Sequence, residues 1–143
     1  MTGDAPAMTA AEIEKLMQEI FPAIFMAGRS YVIEDVRPRG ARMRLIASAQ
    51  HIRPGGTIMG PAMFQLADYG LYVAILGTIG KKGASAVTTS LSINFLRRPP
   101  ARDLIADVDL FKIGKRLIVG EVSLYSEAES EMVAHATATY AIP

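Results

Sequence analysis

The sequence predicts an α+β domain in which a curled antiparallel sheet of about six strands wraps one long buried helix, with a shorter helix ahead of it. Three observations carry this. Residues 56–78 form a nearly all-apolar run whose only charge is Asp68. Four consecutive segments after that run alternate apolar and polar residues. Strands that follow one another without helices between them give an antiparallel sheet rather than βαβ units. A sheet that must cover a helix apolar nearly all round has to curl about it.

Residues 1–8 read as a flexible N-terminal tail and residues 9–143 as a single domain with no internal repeat. Thr9-Ala10-Ala11-Glu12 fits a capping box, and Ile13, Leu16, Met17, Ile20 and Ile24 recur at helical spacing. An amphipathic helix should start there and pack on something larger, with Pro22 kinking or ending it. From Ser30 the period changes to two. Residues 31–36, a turn at 37–40 and residues 41–47 form a hairpin with Met43, Leu45 and Ala47 inward and Arg42 and Arg44 outward. Residues 50–56 are a loop into the central helix.

Gly60 suits the N-cap of that helix and Pro61 its first helical position, where a missing N–H costs nothing. Met63, Leu66, Ala67, Gly70, Leu71, Val73 and Ala74 leave no wide polar face. Gln65, Asp68 and Tyr72 fall at spacings of three and four and form one narrow polar stripe. The run is long enough to cross a bilayer. Asp68 in mid-span would cost roughly 2.5 to 3.5 kcal/mol, however, and the flanks lack a one-sided basic pattern. A helix buried in a protein core is the better reading.

Residues 77–83 form a glycine-punctuated exit carrying Lys81 and Lys82. Residues 86–97 alternate, with Val87, Thr89, Leu91, Ile93 and Phe95 on one face and Thr88, Ser90, Ser92 and Asn94 on the other, until Arg97-Arg98-Pro99-Pro100 stops the strand. Leu104, Ala106, Val108 and Leu110 alternate with Asp103, Asp107 and Asp109; Gly114-Lys115-Arg116 turns the chain; residues 117–125 and 132–142 supply two more strands.

Composition narrows the function classes. With 143 residues, 50% hydrophobic and 20% charged, the chain can bury one real core and hide further surface against another copy of itself. The absence of cysteine excludes disulfides, thiolate metal sites and a cysteine nucleophile. Two histidines, His51 and His135, are too few for a histidine-rich metal site, and His135, alternating with small residues, reads as structural. A net charge of +1 gives no overall case for nucleic acid as a partner. The N-terminus has no basic-then-apolar signal pattern, so the expected location is cytoplasmic.

The order of elements and four short motifs together resemble the hotdog-fold acyl-CoA thioesterases of the PaaI-like group, over roughly residues 31–142. The matching pieces are Gly56-Thr57-Ile58-Met59-Gly60 before the helix, Leu66-Ala67-Asp68 within it, Val87-Thr88 with Ile93-Asn94-Phe95-Leu96-Arg97 on the next strand, and Ile113-Gly114-Lys115-Arg116 at a later turn. The resemblance implies hydrolysis of an acyl-CoA thioester to free acid and CoA, with CoA as part of the substrate, no separate cofactor and no membrane partner. It also implies a homodimer, with active sites at the subunit boundary, that can pair into a tetramer.

For Asp68 the resemblance implies a catalytic carboxylate, acting as general base on water or attacking the thioester itself. A carboxylate in a partly dry cleft is poorly solvated and more basic, the direction wanted for deprotonating water. Gly60 matches the position whose backbone N–H polarises the carbonyl, a task suited to a helix N-terminus. Thr88 matches a hydroxyl that reaches the other subunit's site and helps hold the water. For the nucleotide half of CoA the candidates are Arg97, Arg98, Lys115 and Arg116, with Asn94 of the strand motif counted among them and Lys81 and Lys82 further out.

Two departures stand out. Met59-Gly60-Pro61 replaces the group's common His-Gly-Gly, so the Gly60 donor survives while Pro61 offers no N–H. An upstream Asn of many relatives is missing; Gln50, His51 or Arg53 stand where a substitute would come from, and His51 joins the catalytic candidates although a lone loop histidine is commonly solvated. Met63, Phe64, Tyr69 and Tyr72 are candidates for an acyl tunnel or for plain core. A hotdog protein that binds acyl-CoA without turnover, and a hotdog dehydratase, are the alternatives; the spacing of His51 to Asp68 does not match dehydratase motifs.

Overall fold

The computed structural model describes residues 5–22 and 30–143. Helix α1 (Ala10–Ile20) begins on a capping box: the Glu12 N–H donates to Thr9 Oγ1 at 3.2 Å while the Thr9 N–H donates to Glu12 Oε1 at 2.9 Å. Such a cap stabilises a helix by about 1 kcal/mol. Ile13, Leu16 and Met17 form its buried face, and the helix stops at Phe21, ahead of Pro22. Ile24, expected on the same stripe, lies outside the described residues. Of the expected tail, residues 1–4 also lie outside them. Ala7 donates its N–H to Gly77 O at 2.7 Å, which ties the following stretch to the central helix.

Strands β1 (Tyr31–Arg37) and β2 (Gly40–Leu45) make the expected hairpin, with Met43 and Leu45 buried. The loop expected at 50–56 contains more structure than the sequence suggests. A short 3-10 turn at Ala49–His51 leads into a ribbon of β3 (Ile52–Arg53) and β4 (Thr57–Ile58), bridged to Pro100. Then come the central helix α2 (Gly60–Ile79), a 3-10 turn at Gly80–Ser85, and strands β5 (Val87–Phe95), β6 (Leu104–Ile113), β7 (Leu117–Ser126) and β8 (Met132–Ala141).

The six long strands form one antiparallel sheet in the order β1-β2-β6-β7-β8-β5. Irregularities in register interrupt β1, β5, β6 and β8. Bulges of this kind bend strands and raise local twist, which curves the sheet around α2. Leu66, Leu71, Ile75 and Leu76 of α2 are at most 1% exposed; burying each such side chain stabilises the fold by about 1.5 to 3 kcal/mol. The sheet approaches closely on β6 and β7, where the facing residues are small: a Cβ on Gly70 of α2 would stand 3.0 Å from Val108 Cγ2 and 4.0 Å from Ala106 Cβ, and one on Gly120 3.1 Å from Leu71 Cδ2. By length and composition Gly60–Ser85 could cross a bilayer, and 67% of its apolar window is buried inside the fold.

Two expectations need correction. Met59, not Gly60, is the N-cap of α2; Gly60 already has helical geometry, with Pro61 directly after it. A residue before proline normally avoids the helical region because its Cβ meets the proline ring, and glycine has no Cβ. In β5, the expected alternation holds only from Ser90 onward. The register shift between Thr88 and Ser90 leaves Thr89 as the extra residue and pairs Thr88 with Tyr140. Thr88 therefore leaves the face of Ser90 and Ser92 and joins the inner one.

Candidate active site

Asp68 sits at the middle of α2, half-buried, where β5 and β8 pass over the helix. Thr88 Oγ1 donates to Asp68 Oδ1 at 2.8 Å. The Tyr140 hydroxyl donates to the same Oδ1 and lies 2.8 Å from the Asp68 backbone carbonyl oxygen. Both side-chain donors fall on one oxygen, and Oδ2 makes no hydrogen bond among the described residues. The rest of the predicted polar stripe is also partnered: Gln65 Oε1 accepts from the Tyr31 hydroxyl at 2.8 Å, and the Tyr72 hydroxyl donates to Ala84 O at 2.6 Å.

Asp68 opens into a cleft of about 450 Å³ whose walls include Phe21, Tyr69, Tyr72, Val87 and Tyr140. Phe21 meets Tyr69 and Tyr72 edge-on at centroid separations of 6.1 and 6.3 Å. Among the described residues lining the cleft, the ionisable groups are one carboxylate and three phenols. Burial pushes all three phenols up, and the Asp68 charge adds to the shift at Tyr69 and Tyr140. The phenols thus stay protonated donors around neutral pH.

Gly60 belongs to a different place. The Ala62 and Met63 N–H groups turn back to Met59 O at 3.1 and 3.4 Å, the Met59 N–H is held by His51 O at 2.8 Å, and Pro61 has none. The Gly60 N–H is thereby left as a donor without a partner among the described residues. Gly60 lines a second cleft of about 590 Å³, shared with Phe64, Gln65, Ile93 and Phe95. The Phe95 ring lies 3.3 Å from where a Cβ on Gly60 would stand. Gly60 and Asp68 are eight residues apart on α2, about 12 Å along its axis.

His51 is not a solvated loop residue. It is 5% exposed, its Nδ1 accepts from the Ser48 N–H at 3.1 Å, and burial lowers its pKa. Its carbonyl fixes the capping residue Met59. Gln50 donates from Nε2 to Ser30 Oγ at 3.0 Å, and Arg53 is exposed. His135 Nε2 lies 2.7 Å from Glu121 Oε1 on the outer face of the sheet, with Asn94 across from it on the edge strand.

The basic candidates also separate. Arg97 is ion-paired with Glu131, and Arg98 is exposed beside it. Lys82 and Lys115 border a third cleft, of about 380 Å³, floored by Ile79, Ile113 and Ile142 at the C-terminal end of α2. The Arg116 side chain is exposed, and its backbone carbonyl receives the Ile142 N–H at 2.8 Å. Of the acyl-tunnel candidates, Met63 is 4% exposed and is core, Phe64 lines the Gly60 cleft, and Tyr69 and Tyr72 line the Asp68 cleft.

The model of the thioesterase superfamily matches residues 55–133, which is more than half of the chain and spans the Gly60, Asp68 and Thr88 positions. The chain belongs to the thioesterase superfamily. Thioester hydrolysis is the reaction class of that membership. A solved structure from Silicibacter sp. TM1040, carrying a provisional thioesterase name, is 35% identical over 99% of this chain and 96% of that one, with a TM-score of 0.85. A Saccharolobus solfataricus protein with a provisional esterase name is 27% identical over 96% of this chain and 87% of its own length. The Escherichia coli PaaI protein from the phenylacetic acid degradation operon is 20% identical, covering 94% of this chain and 93% of its own with a TM-score of 0.76. That last likeness is one of fold, and the hotdog fold expected from the sequence is the fold of these relatives.

Tyr140 is the residue at the site that sequence reasoning missed. Its signal was present: β8 turns Ala134, Ala136 and Ala138 inward, and the series ends on one large ring with a polar tip.

Proposed function

We propose that this thioesterase superfamily protein hydrolyses acyl-CoA thioesters, with Asp68 as general base and the Gly60 N–H of a second copy polarising the carbonyl. The observation that carries the reading is the Asp68 carboxylate at the wall of a cleft, with Oδ1 held by two hydroxyls and Oδ2 without a hydrogen bond among the described residues. An oxygen so placed can take a proton from water while the other oxygen keeps the group oriented. The water oxygen then adds to the thioester carbon, the carbonyl oxygen gains charge against the Gly60 N–H, the C–S bond breaks, and the CoA sulfur takes the proton back from Asp68.

The separation of Gly60 from Asp68 along one helix argues for a site shared between two copies. Edge strand β5 supports the same reading, since Val87 and Phe95 are each 52% exposed and Leu96 54%; apolar side chains on a free strand edge suit pairing with another chain. Lys82 and Lys115 are the cations we assign to the CoA phosphates, because two amines converge on one cleft whereas Arg97 is already paired.

The test is thiol release from a panel of short, medium and aromatic acyl-CoAs. The wild-type protein should turn over at least one of them, and Asp68→Asn, nearly the same shape, should lose at least about 100-fold. An unchanged rate in Asp68→Asn would remove Asp68 from the chemistry. Binding without thiol release would identify an acyl-CoA-binding protein instead.

A further inference from the structure

We propose that Tyr140 is a positioning residue for the hydrolysis, one that holds the Asp68 carboxylate by Oδ1 so that Oδ2 presents to the cleft. The inference rests on Asp68 being the base.

Three features support it. The Tyr140 hydroxyl reaches both Asp68 Oδ1 and the Asp68 backbone carbonyl oxygen, so one group on β8 ties the side chain and main chain of the helix residue together. Tyr140 is 3% exposed although it borders the cleft, so its ring is packed on most sides. Thr88 holds the same oxygen from β5. Two donors from neighbouring strands thus converge on Oδ1, and the carboxylate's remaining acceptor capacity lies on Oδ2. Burial and the Asp68 charge both favour the protonated phenol, so Tyr140 remains a donor across the pH range in which a carboxylate base works. A base misplaced by about 1 Å can lose on the order of 100-fold in rate, so an orienting donor without contact to substrate has large leverage.

The experiment compares wild type, Tyr140→Phe, Asp68→Asn and the double variant, on the best acyl-CoA of the panel, with thermal melting as a check of folding. Tyr140→Phe should lower kcat about 10- to 100-fold with KM within about twofold, because the group lost does not touch the substrate. In the Asp68→Asn background the same change should have no further effect on kcat, since its action runs through the missing base. An unchanged kcat in Tyr140→Phe, while Asp68→Asn is inactive, would overturn the role of Tyr140 and leave Asp68 standing. Equal losses in both backgrounds would overturn it as well, by making Tyr140 act independently of Asp68. An unaffected Asp68→Asn would fail the catalytic reading itself. Should Tyr140→Phe not fold, single-site 3-fluorotyrosine at position 140 keeps the shape with a more acidic hydroxyl. A kcat change of twofold or more at constant KM then agrees with the proposal, and an unchanged kcat overturns it.

Discussion

Gly60 and Asp68 stand on the same helix, eight residues apart, and open into different clefts. A thioester carbonyl spans little more than a bond length, so one chain cannot offer both groups to it across about 12 Å. In the proposed reaction two copies related by a twofold axis would offer both, each supplying the helix start to one site and the carboxylate to the other.

Two variants that are inactive alone should therefore rescue each other. Asp68→Asn removes the base, and glycolic acid in place of Gly60, an ester at that one link, removes the N–H without adding a Cβ against Pro61 or Phe95. When the two are refolded as an equal mixture, half of the dimers are mixed and each mixed dimer holds one intact site. About a quarter of wild-type thiol release should return. Activity no greater than that of the parents would place the whole site within one chain.

Charge reversal at Lys82 and Lys115 together should raise KM for acyl-CoA about tenfold, the equivalent of roughly 1.4 kcal/mol, and leave kcat in place. Thioesters of pantetheine, which lack the nucleotide, should show no such rise. A rise equal for both substrates would take these lysines away from the phosphates.

Stability should fall at both ends of the pH scale, for opposite reasons. Burial pushes the Tyr31 hydroxyl from 10.0 up to about 12, with Tyr69 adding to the shift. The unfolded chain loses that proton first, so the contribution is whole below pH 10, declines above it, and is gone once pH passes about 12. Tyr31→Phe should flatten the fall in thermal midpoint across that window. His51 is shifted downward by burial. The unfolded chain takes up its proton first as pH drops below about 6.5, so its contribution is present above that value and lost on the acid side. His51→Gln should flatten the acid limb of the same curve.

The closeness of helix to sheet can be tested at Gly120. A Cβ there would stand 2.8 Å from Asp109 O and from Leu110 Cδ2, and 3.1 Å from Leu71 Cδ2 on α2. A backbone oxygen in a paired strand cannot step aside, so Gly120→Ala should cost about 1 to 3 kcal/mol. Calorimetry should show a midpoint lower by several degrees.

Much of the fold was legible because periodicity is a local property. The apolar run around Asp68, the capping box at Thr9 and the alternation in β6, β7 and β8 each state their own conformation and burial. The start of α2 differs by one residue because Met59 O accepts the first helical bonds, from Ala62 and Met63, and residue type does not choose between two adjacent capping positions. The exposure of Val87 and Phe95 was not legible either. Alternation tells which residues share a face, but not whether the strand carrying them ends the sheet.

By itself the sequence determined that an apolar helix lies under an antiparallel sheet and that Asp68 is the lone charge on that helix, since both follow from residue type and spacing along the chain. Only the tertiary structure decided what meets that charge. The extra residue at Thr89 reverses the phase of β5 and turns Thr88 inward, and the register of β8 brings Tyr140, 72 positions away in sequence, onto the same oxygen. A bulge is set by the pairing of two strands and a long-range hydrogen bond by the path of the sheet, so neither is written in the spacing of residues within one segment.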